Sequence, residues 1–242
     1  MDELTDYITE YGDYLEEIRK RVYKTILLFL IVFTTGFFLT TPFLRLILTF
    51  LKIKDVVITT TSPFQIVDLA MSIGIFFAII VILPVVIYHI YSFLRSSLLP
   101  QEKRFFFLLL PIGFLLFIIG FIYGFATLYY ALKIIAAINI TLGVVNLWDI
   151  SRFISQMVIT SALLGVMFQF PIVITFLIKI KIISVDFLKS KRRHAIVIIF
   201  TFVSLLPPTD GLSLVIMSLP LVAIYELTIF FNLYNRNNYS AS

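Results

Sequence analysis

Cysteine is absent from this 242-residue chain, and charged residues are scarce. Without cysteine the chain has no disulfide framework, no thiol chemistry and no cysteine metal site. Asp, Glu, Lys and Arg make up 14% of the residues, whereas a typical soluble protein has about 25%. Apolar residues account for 60%, which is too many for the surface of a soluble domain. The composition also excludes a disordered chain or a collagen-like fibre, and it predicts a protein embedded in lipid.

Enzyme signatures are also missing from the sequence. There is no HExxH, no glycine-rich phosphate loop, no GxSxG and no GxGD-type aspartate pair. The two histidines, His89 and His194, are both expected near one membrane boundary, and the carboxylates are not clustered as metal ligands. We therefore expect neither an enzyme nor a metal site.

Long segments without charge predict the membrane spans. The segment between Lys24 and Arg45 has 20 uncharged residues, and the next three such segments have 26 to 28. A bilayer core of about 30 Å needs roughly 20 apolar residues in a helix. These segments do not alternate as the strands of a β-barrel do. We predict an all-α integral membrane protein with six transmembrane helices at residues 24–42, 69–92, 105–129, 153–178, 194–206 and 212–233.

The last two predicted spans form a helical hairpin joined by the sequence PPTDG at residues 207–211. At 1.5 Å per residue the first arm is about 20 Å long, shorter than the hydrocarbon core. A re-entrant hairpin is the alternative that the residues leave open.

The distribution of basic residues predicts the orientation. Fourteen of the nineteen lysines and arginines lie on the side of the two termini, and five lie on the other side. The positive-inside rule therefore places both termini in the cytoplasm, in a single membrane domain over residues 1–242. Residues 1–23 carry seven acidic residues and no apolar h-region, so we expect an amphipathic cytoplasmic segment and not a signal peptide. The net charge of +5 then reports topology, and it does not require a nucleic-acid partner.

A few polar residues and prolines interrupt the predicted spans. Gln169 is expected either to bond another helix of the same chain or to contact a second membrane protein. His89 is expected to have a structural role near the interface, and Glu226 to extend its carboxylate towards water. Four prolines should kink their helices and give a concave scaffold with short last two helices: Pro84, Pro111, Pro171 and Pro220.

Two carboxylates stand among basic residues on the predicted cytoplasmic face. Glu17 lies in YLEEIRKR before the first span, and Glu102 lies in LLPQEKR before the third. Local ion pairing explains both, but a pair of carboxylates also suits a cationic ligand, because a guanidinium pairs bidentately with a carboxylate. The residues alone leave both interpretations open.

The order of several motifs resembles the TatC family, the multi-spanning subunit of the twin-arginine protein translocase. The resemblance covers nearly the whole chain, with departures from the family pattern at Tyr14, Ser96 and Leu214. The motifs that carry it are YLEEIRKR, PVVIYHIYSFLRSSLLPQEKR, FIIGFIYGF, DISRFIS, GVMFQFP, LPPTDGLS and LPLVAIYE.

This resemblance implies a receptor for twin-arginine signal peptides in the cytoplasmic membrane, which exports folded proteins with the proton-motive force and without a cofactor. It implies single-span TatA- or TatB-type partners and self-association in a complex. Gln169 matches a membrane-embedded position that contacts a partner, and Pro42 and Asp210 match positions of the external loops. Asp210 acts there directly or caps its turn. The residues implied in signal-peptide binding are Glu17, Glu102, Arg19, Arg21 and Phe93.

Three other functions remain to be separated from this one. A small-solute transporter predicts charges at mid-bilayer and internal repeats, and no repeat is evident. An intramembrane enzyme requires a nucleophile or an acid pair across helices, and the sequence spaces none in that way. A purely structural subunit would bind no signal peptide.

Overall fold

The computed structural model describes residues 2–51, 56–59, 62–94, 100–207 and 211–240, and these residues are almost entirely helical. The elements, in chain order, are α1 (Asp2–Phe38), α2 (Thr40–Leu51), β1 (Val56–Thr59), α3 (Gln65–Leu94), α4 (Pro100–Thr141), β2 (Asn146–Asp149), α5 (Ile150–Met167), α6 (Phe170–Lys179), α7 (Val185–Ser190), α8 (Arg192–Ser204) and α9 (Gly211–Ser240). The predicted all-α membrane fold is confirmed.

Within those ranges, five helical segments are long and apolar enough to cross a membrane. They are Glu16–Phe38, Gln65–His89, Pro111–Thr141, Ser151–Lys179 and Gly211–Tyr234. The predicted fifth span coincides with α8, which has 13 residues and a length of about 20 Å. The count of six spans, the span boundaries and the orientation stay predictions.

The first helix is continuous from Asp2 to Phe38 and therefore includes both the predicted surface segment and most of the first predicted span. Helix α1 ends at Phe38, four residues before the predicted end of the first span at residue 42, and α2 begins at Thr40. The Thr40 hydroxyl donates to the Phe37 carbonyl at 2.7 Å and takes up an acceptor at the end of α1. Pro42 is tolerated in the first turn of α2, where its missing N–H needs no partner.

The prolines have different effects on their helices. Pro84, Pro111 and Pro220 lie inside helices that continue past them. Pro171 lies in the first turn of α6, directly after the break that separates α5 from α6 at Phe168 and Gln169. The predicted span 153–178 is therefore two helices joined at mid-length. The concave curvature expected from the prolines stays a prediction.

Two short strands pair at the end of the molecule opposite the termini. They are parallel, with Val56 opposite Asn146 and Thr59 opposite Asp149. Helices α3 and α4 lie between them in sequence and carry the chain away from the sheet and back. Asn146 is buried, and its amide donates to the Ala136 carbonyl of α4 at 3.1 Å. The pairing therefore fixes the loops at this end to the helices.

Glycines allow the helices of two pairs to approach closely. A Cβ on Gly36 of α1 would lie 3.0 Å from the Gly74 Cα of α3. On α4, a Cβ on Gly120 would lie 2.9 Å from the Gly165 Cα of α5, and one on Gly124 would lie 2.9 Å from the Ser161 Cα. Small residues four apart let helix backbones pack in lipid, where apolar burial alone does not drive association.

Helix α5 is at the centre of the core. Ile154, Val158 and Ala162 are fully buried, and they belong to a cluster that also takes in Leu69 of α3 and Tyr225 of α9. By contrast, only 6% of the most apolar part of the first span, Glu16–Phe38, is buried. Helix α1 is therefore attached at the edge of a core that α5 organises.

The turn between α8 and α9 lies against the middle of α5. The Thr160 hydroxyl donates to the Pro207 carbonyl at 2.8 Å. Thr160 is ten residues into α5, about 15 Å from its first residue. Pro207, which follows α8, therefore lies near the middle of α5.

We predict that Gly120→Ala destabilises the protein in detergent, because its Cβ would lie 2.7 Å from the Phe168 ring as well as against the α5 backbone. Such overpacking costs roughly 1–3 kcal/mol. The same substitution at Gly211 is the control, since a Cβ there meets nothing within 4 Å. Thermal unfolding of the two variants measures the difference, and equal melting temperatures would contradict the proposed helix contact.

Candidate functional site

Glu17 lies on the exposed face of α1, near the end of the molecule that carries the termini. Its side chain is 50% exposed, and its Oε1 pairs with the Arg21 guanidinium one helical turn later. Residues four apart lie on the same helix face, so this pair is local. The contacts described for the Glu17 carboxylate engage Oε1.

Arg21 connects this carboxylate to the end of α3. Its Nη1 donates to the His89 carbonyl at 2.9 Å, and its Nη2 donates to the Ser92 hydroxyl at 3.1 Å. The Arg21 side chain is 20% exposed. The guanidinium thus supplies a donor to a carbonyl in the last turns of a helix, where a cation is favourable. Arg21 positions Glu17 beside α3, and its donors are largely used within the chain.

His89 has the structural role that the sequence favours. Its Nδ1 lies 3.0 Å from the Thr25 hydroxyl, which itself donates to the Arg21 carbonyl at 2.8 Å. Together with the two bonds from Arg21 to the His89 carbonyl and the Ser92 hydroxyl, this gives three polar contacts between α1 and α3. These links were not evident from sequence, because His89 is 68 residues from Arg21; only the Arg21–Thr25 spacing on one helix face hinted at them.

A groove of about 320 Å³ lies beside these contacts, between α1 and α3. Apolar side chains and the Arg21 and His89 side chains line it; the apolar ones are Ile18, Val22, Ile26 and Val86. Its position next to Glu17 gives a carboxylate and an apolar surface at one place on the molecule.

The other residues predicted for signal-peptide binding lie at the same end. Phe93 is in the last turn of α3, and Glu102 is in the first turn of α4. Their side chains are outside the part of the structure that is described. Arg19 is exposed on α1. The structure therefore brings the backbones of these positions to one end of the molecule.

Gln169 is buried at the break between α5 and α6. Its Nε2 donates to the Gly113 carbonyl of α4 at 2.9 Å. A Cβ on Gly113 would lie 3.0 Å from the Gln169 Oε1, so the absence of a side chain at 113 makes room for the amide. The structure shows the intrachain bond, and Oε1 has no hydrogen-bond partner among the described residues. The predicted contact with a partner subunit stays a prediction.

Glu226 pairs with a cation of the neighbouring helix. Its Oε2 lies 2.9 Å from the Arg192 Nη2 at the start of α8, and both side chains are nearly half exposed. Glu226 lies midway along α9, opposite the first turn of α8, and its carboxylate is paired within the chain. The expected reach towards water stays a prediction.

Of the two positions expected to act in the external loops, the structure describes Pro42 alone. Pro42 is exposed at the start of α2. Asp210 lies outside the described residues. Among the residues that the structure describes, no group of three or more His, Asp or Glu side chains is placed to hold a metal ion.

Comparison with known proteins identifies the family. The model of the family described as Sec-independent protein translocase protein (TatC) matches residues 13–220. A TatC protein of Aquifex aeolicus is 30% identical over 226 residues, which cover 90% of this chain and 92% of that protein. A crystal structure of the twin arginine translocase receptor TatC in DDM matches with a TM-score of 0.79 and 30% identity, covering 90% of this chain and 98% of that one. The chain belongs to the TatC family.

More distant TatC relatives agree with this assignment. The TatC protein of Halalkalibacterium halodurans is 24% identical over 219 residues, which cover 90% of this chain and 87% of that protein. The predicted family and translocase function are confirmed. This TatC-family chain is a Sec-independent protein translocase protein: a multi-pass membrane protein that serves transport, in a complex with other components of the translocase.

We predict that Arg21→Lys lowers the stability of the α1–α3 contact, because one ammonium cannot reach Glu17, Ser92 and the His89 carbonyl as the fork of a guanidinium does. Loss of one or two charge-assisted hydrogen bonds costs roughly 1–3 kcal/mol. Arg19→Lys is the matched control, because Arg19 is exposed two residues earlier on the same helix. Thermal unfolding in detergent measures both, and an unchanged melting temperature for Arg21→Lys would contradict its positioning role.

Proposed function

We propose that this TatC-family chain binds twin-arginine signal peptides at its cytoplasmic end, with Glu17 and Glu102 as the two receptor carboxylates. The observation that carries the proposal is the state of Glu17: an accessible carboxylate, held by Arg21 against the end of α3. A carboxylate has two oxygens and about four acceptor positions, so Arg21 on Oε1 leaves capacity for an incoming guanidinium. Phe93 and Arg19 complete the site.

The signal's two arginines are recognised as planar forks. At the water–lipid boundary, charges are less screened than in bulk water, and each guanidinium forms two parallel hydrogen bonds to a carboxylate. Lysine supplies the charge without that geometry. The apolar groove between α1 and α3 begins beside Glu17, which supports a path for the apolar segment that follows the arginines in a signal peptide.

The remaining parts of the proposal concern the assembly. The partners are single-span TatA- or TatB-type subunits and further copies of this chain. Gln169 is proposed to contact one of these subunits: its Oε1 lacks a hydrogen-bond partner among the described residues, and it becomes accessible when α4 moves away from the α5–α6 break. Pro42 and Asp210 act in the external loops. Export of folded proteins uses the proton-motive force, with no cofactor and no catalytic step.

The location proposed is the cytoplasmic membrane, with six spans and both termini in the cytoplasm. The excess of basic residues at the terminal-bearing end supports this orientation. Because α8 has 13 residues, it crosses the membrane only where the bilayer is locally thin or where neighbouring helices cover the ends of α8.

We predict that Glu17→Gln and Glu102→Gln each weaken the binding of an Arg-Arg signal peptide by roughly tenfold to a hundredfold, which corresponds to one charge-assisted bidentate contact. A Lys-Lys peptide, which binds more weakly, should lose much less. Binding of fluorescent peptides to the protein in nanodiscs measures both affinities.

Glu16→Gln is the matched control for this experiment. Glu16 is the neighbouring residue, its side chain is 57% exposed, and it forms an ion pair with Lys20 at 2.9 Å. Equal losses for Arg-Arg and Lys-Lys peptides in the Glu17 and Glu102 variants would show that these residues shape the surface and do not read the signal. If Glu16→Gln weakened Arg-Arg peptide binding by the same factor, the effect of the Glu17 and Glu102 variants would come from the lost negative charge alone.

Single cysteines test the topology cleanly, because the chain has none of its own. We predict that Ser190→Cys reacts with a membrane-impermeant maleimide only from the cytoplasmic side and Thr141→Cys only from the opposite side. Leu205→Cys, 76% exposed after the end of α8, should react from the side of Thr141. Labelling of Leu205→Cys from the side of Ser190 would mean a re-entrant hairpin and four complete crossings before it.

A further inference from the structure

We propose that the cavity enclosed by the α5–α6 junction, α7, α8 and α9 binds one anionic phospholipid of the leaflet at the terminal-bearing end. Its acyl chain occupies the cavity, and its phosphate lies at Lys191 and His194. We call this cavity the α8 pocket. It is separate from the groove beside Glu17, and the proposal does not depend on signal-peptide binding.

The α8 pocket has the size and the lining for a hydrocarbon chain. Its volume is about 420 Å³, nearly three times that of the roughly 150 Å³ apolar cavity that holds a benzene molecule. Its walls are apolar side chains contributed by the surrounding helices: Met167, Phe170, Leu188, Ile199 and Leu221. An apolar cavity does not hold ordered water well, so hydrocarbon is the occupant that its chemistry favours.

The polar atom in the wall is already satisfied. Tyr225 is 2% exposed, and its hydroxyl donates to the Leu188 carbonyl of α7 at 2.7 Å. Its ring packs on Phe170, with ring centroids 5.8 Å apart. Tyr225 therefore contributes an aromatic ring to the pocket wall, and its hydroxyl is already hydrogen-bonded. An apolar wall of this kind suits an acyl chain.

The mouth of the α8 pocket is basic. Lys191 and His194 line it and are exposed, and they lie in the run KSKRRH at residues 189–194. Arg192 pairs with Glu226 at 2.9 Å, so part of its charge is balanced within the chain. No such ion pair is recorded for Lys191 within the described ranges. The mouth therefore offers positive charge to an anionic headgroup.

Helix α8 begins beside these side chains, directly after the residue that caps the end of α7. Its N-cap is Lys191, which makes no side-chain capping bond. The first N–H groups of a helix carry a partial positive charge and favour a phosphate. The apolar pocket, the basic side chains and the helix end therefore suit one ligand, which has a phosphate at one end and a hydrocarbon chain at the other.

The pocket extends along α8 from its basic mouth into its apolar part. Ile198 lines the pocket seven residues after Lys191, about 10 Å deeper along α8. Phe187 and Ile198 are 51% and 66% exposed at its open side, where a chain can enter laterally from the bilayer. A headgroup at Lys191 therefore places its chain beside Ile198. Basic pockets between membrane helices bind anionic headgroups by this combination of charge and shape.

Quenching by brominated lipids tests the proposal in vesicles. The full chain carries Trp148→Phe, which removes its one tryptophan, and Phe187→Trp as a reporter at the pocket's open side. Brominated phosphatidylglycerol and brominated phosphatidylcholine are added in turn to phosphatidylcholine vesicles. We expect quenching by the anionic lipid to saturate at low mole fraction, with a preference of roughly fivefold or more over the zwitterionic lipid.

Three controls define the site. Leu227→Trp, on the exposed face of α9, should report quenching in proportion to bulk lipid, without preference. The pair Lys191→Gln and His194→Gln should abolish the preference, whereas Lys181→Gln, an exposed lysine at the same end that does not line the pocket, should retain it. Ala195→Phe should fill the pocket and remove saturable quenching without a change of charge.

Several results would overturn the proposal. Equal quenching by both lipids would make the pocket an ordinary lipid-facing surface. An absence of quenching at Phe187→Trp would mean that no lipid chain enters the pocket. A preference that survives Lys191→Gln with His194→Gln would place the headgroup elsewhere. Because Lys191 and His194 are exposed, we expect the double variant to fold normally, and thermal unfolding is the measurement that checks this.

Discussion

The close approach of helix backbones at glycine is the constraint on which the rest of the structure depends. In lipid, apolar side chains gain little from leaving one hydrocarbon for another, so contact between backbones must supply the packing. Gly36 against Gly74 joins α1 to α3, and Gly120 against Gly165 joins α4 to α5. Helix α5 then carries the buried cluster to which α3 and α9 attach. Each pair needs its small residues on both partners, which is why a single methyl group there is costly.

The candidate site is a consequence of the first of these contacts. Because α1 lies against α3, the Arg21 guanidinium reaches the His89 carbonyl and the Ser92 hydroxyl. These bonds hold the Glu17 carboxylate beside the end of α3. The same contact leaves an apolar groove on the adjoining surface. In the proposed function, a signal-peptide arginine would pair with Glu17 on this surface, and the apolar segment would lie in the adjoining groove.

The helical membrane fold was predictable from sequence because an uncharged segment of 20 or more residues has few alternatives in lipid. The proline beside Gln169 predicted an interruption in the fourth segment, and the structure has a break there. Two features were not predictable. One is the strand pairing, in which Val56 and Asn146 are 90 positions apart. The other is the bond from Arg21 to Ser92, which are 71 positions apart. No local sequence pattern encodes such contacts. The site residues were identified by resemblance to a family, since an exposed glutamate beside an arginine on a helix is common.

The parallel strand pair has a mechanical consequence. It fastens the chain between α2 and α3 to the chain between α4 and α5, so residues 56 to 149 form a closed circuit at one end of the molecule. Helices α3 and α4 are therefore held together at both ends, by the strand pair at one end and by the short connection from Leu94 to Pro100 at the other. Helix α1 lies outside this circuit, and at the end that bears Glu17 it is held to α3 by packing and hydrogen bonds alone.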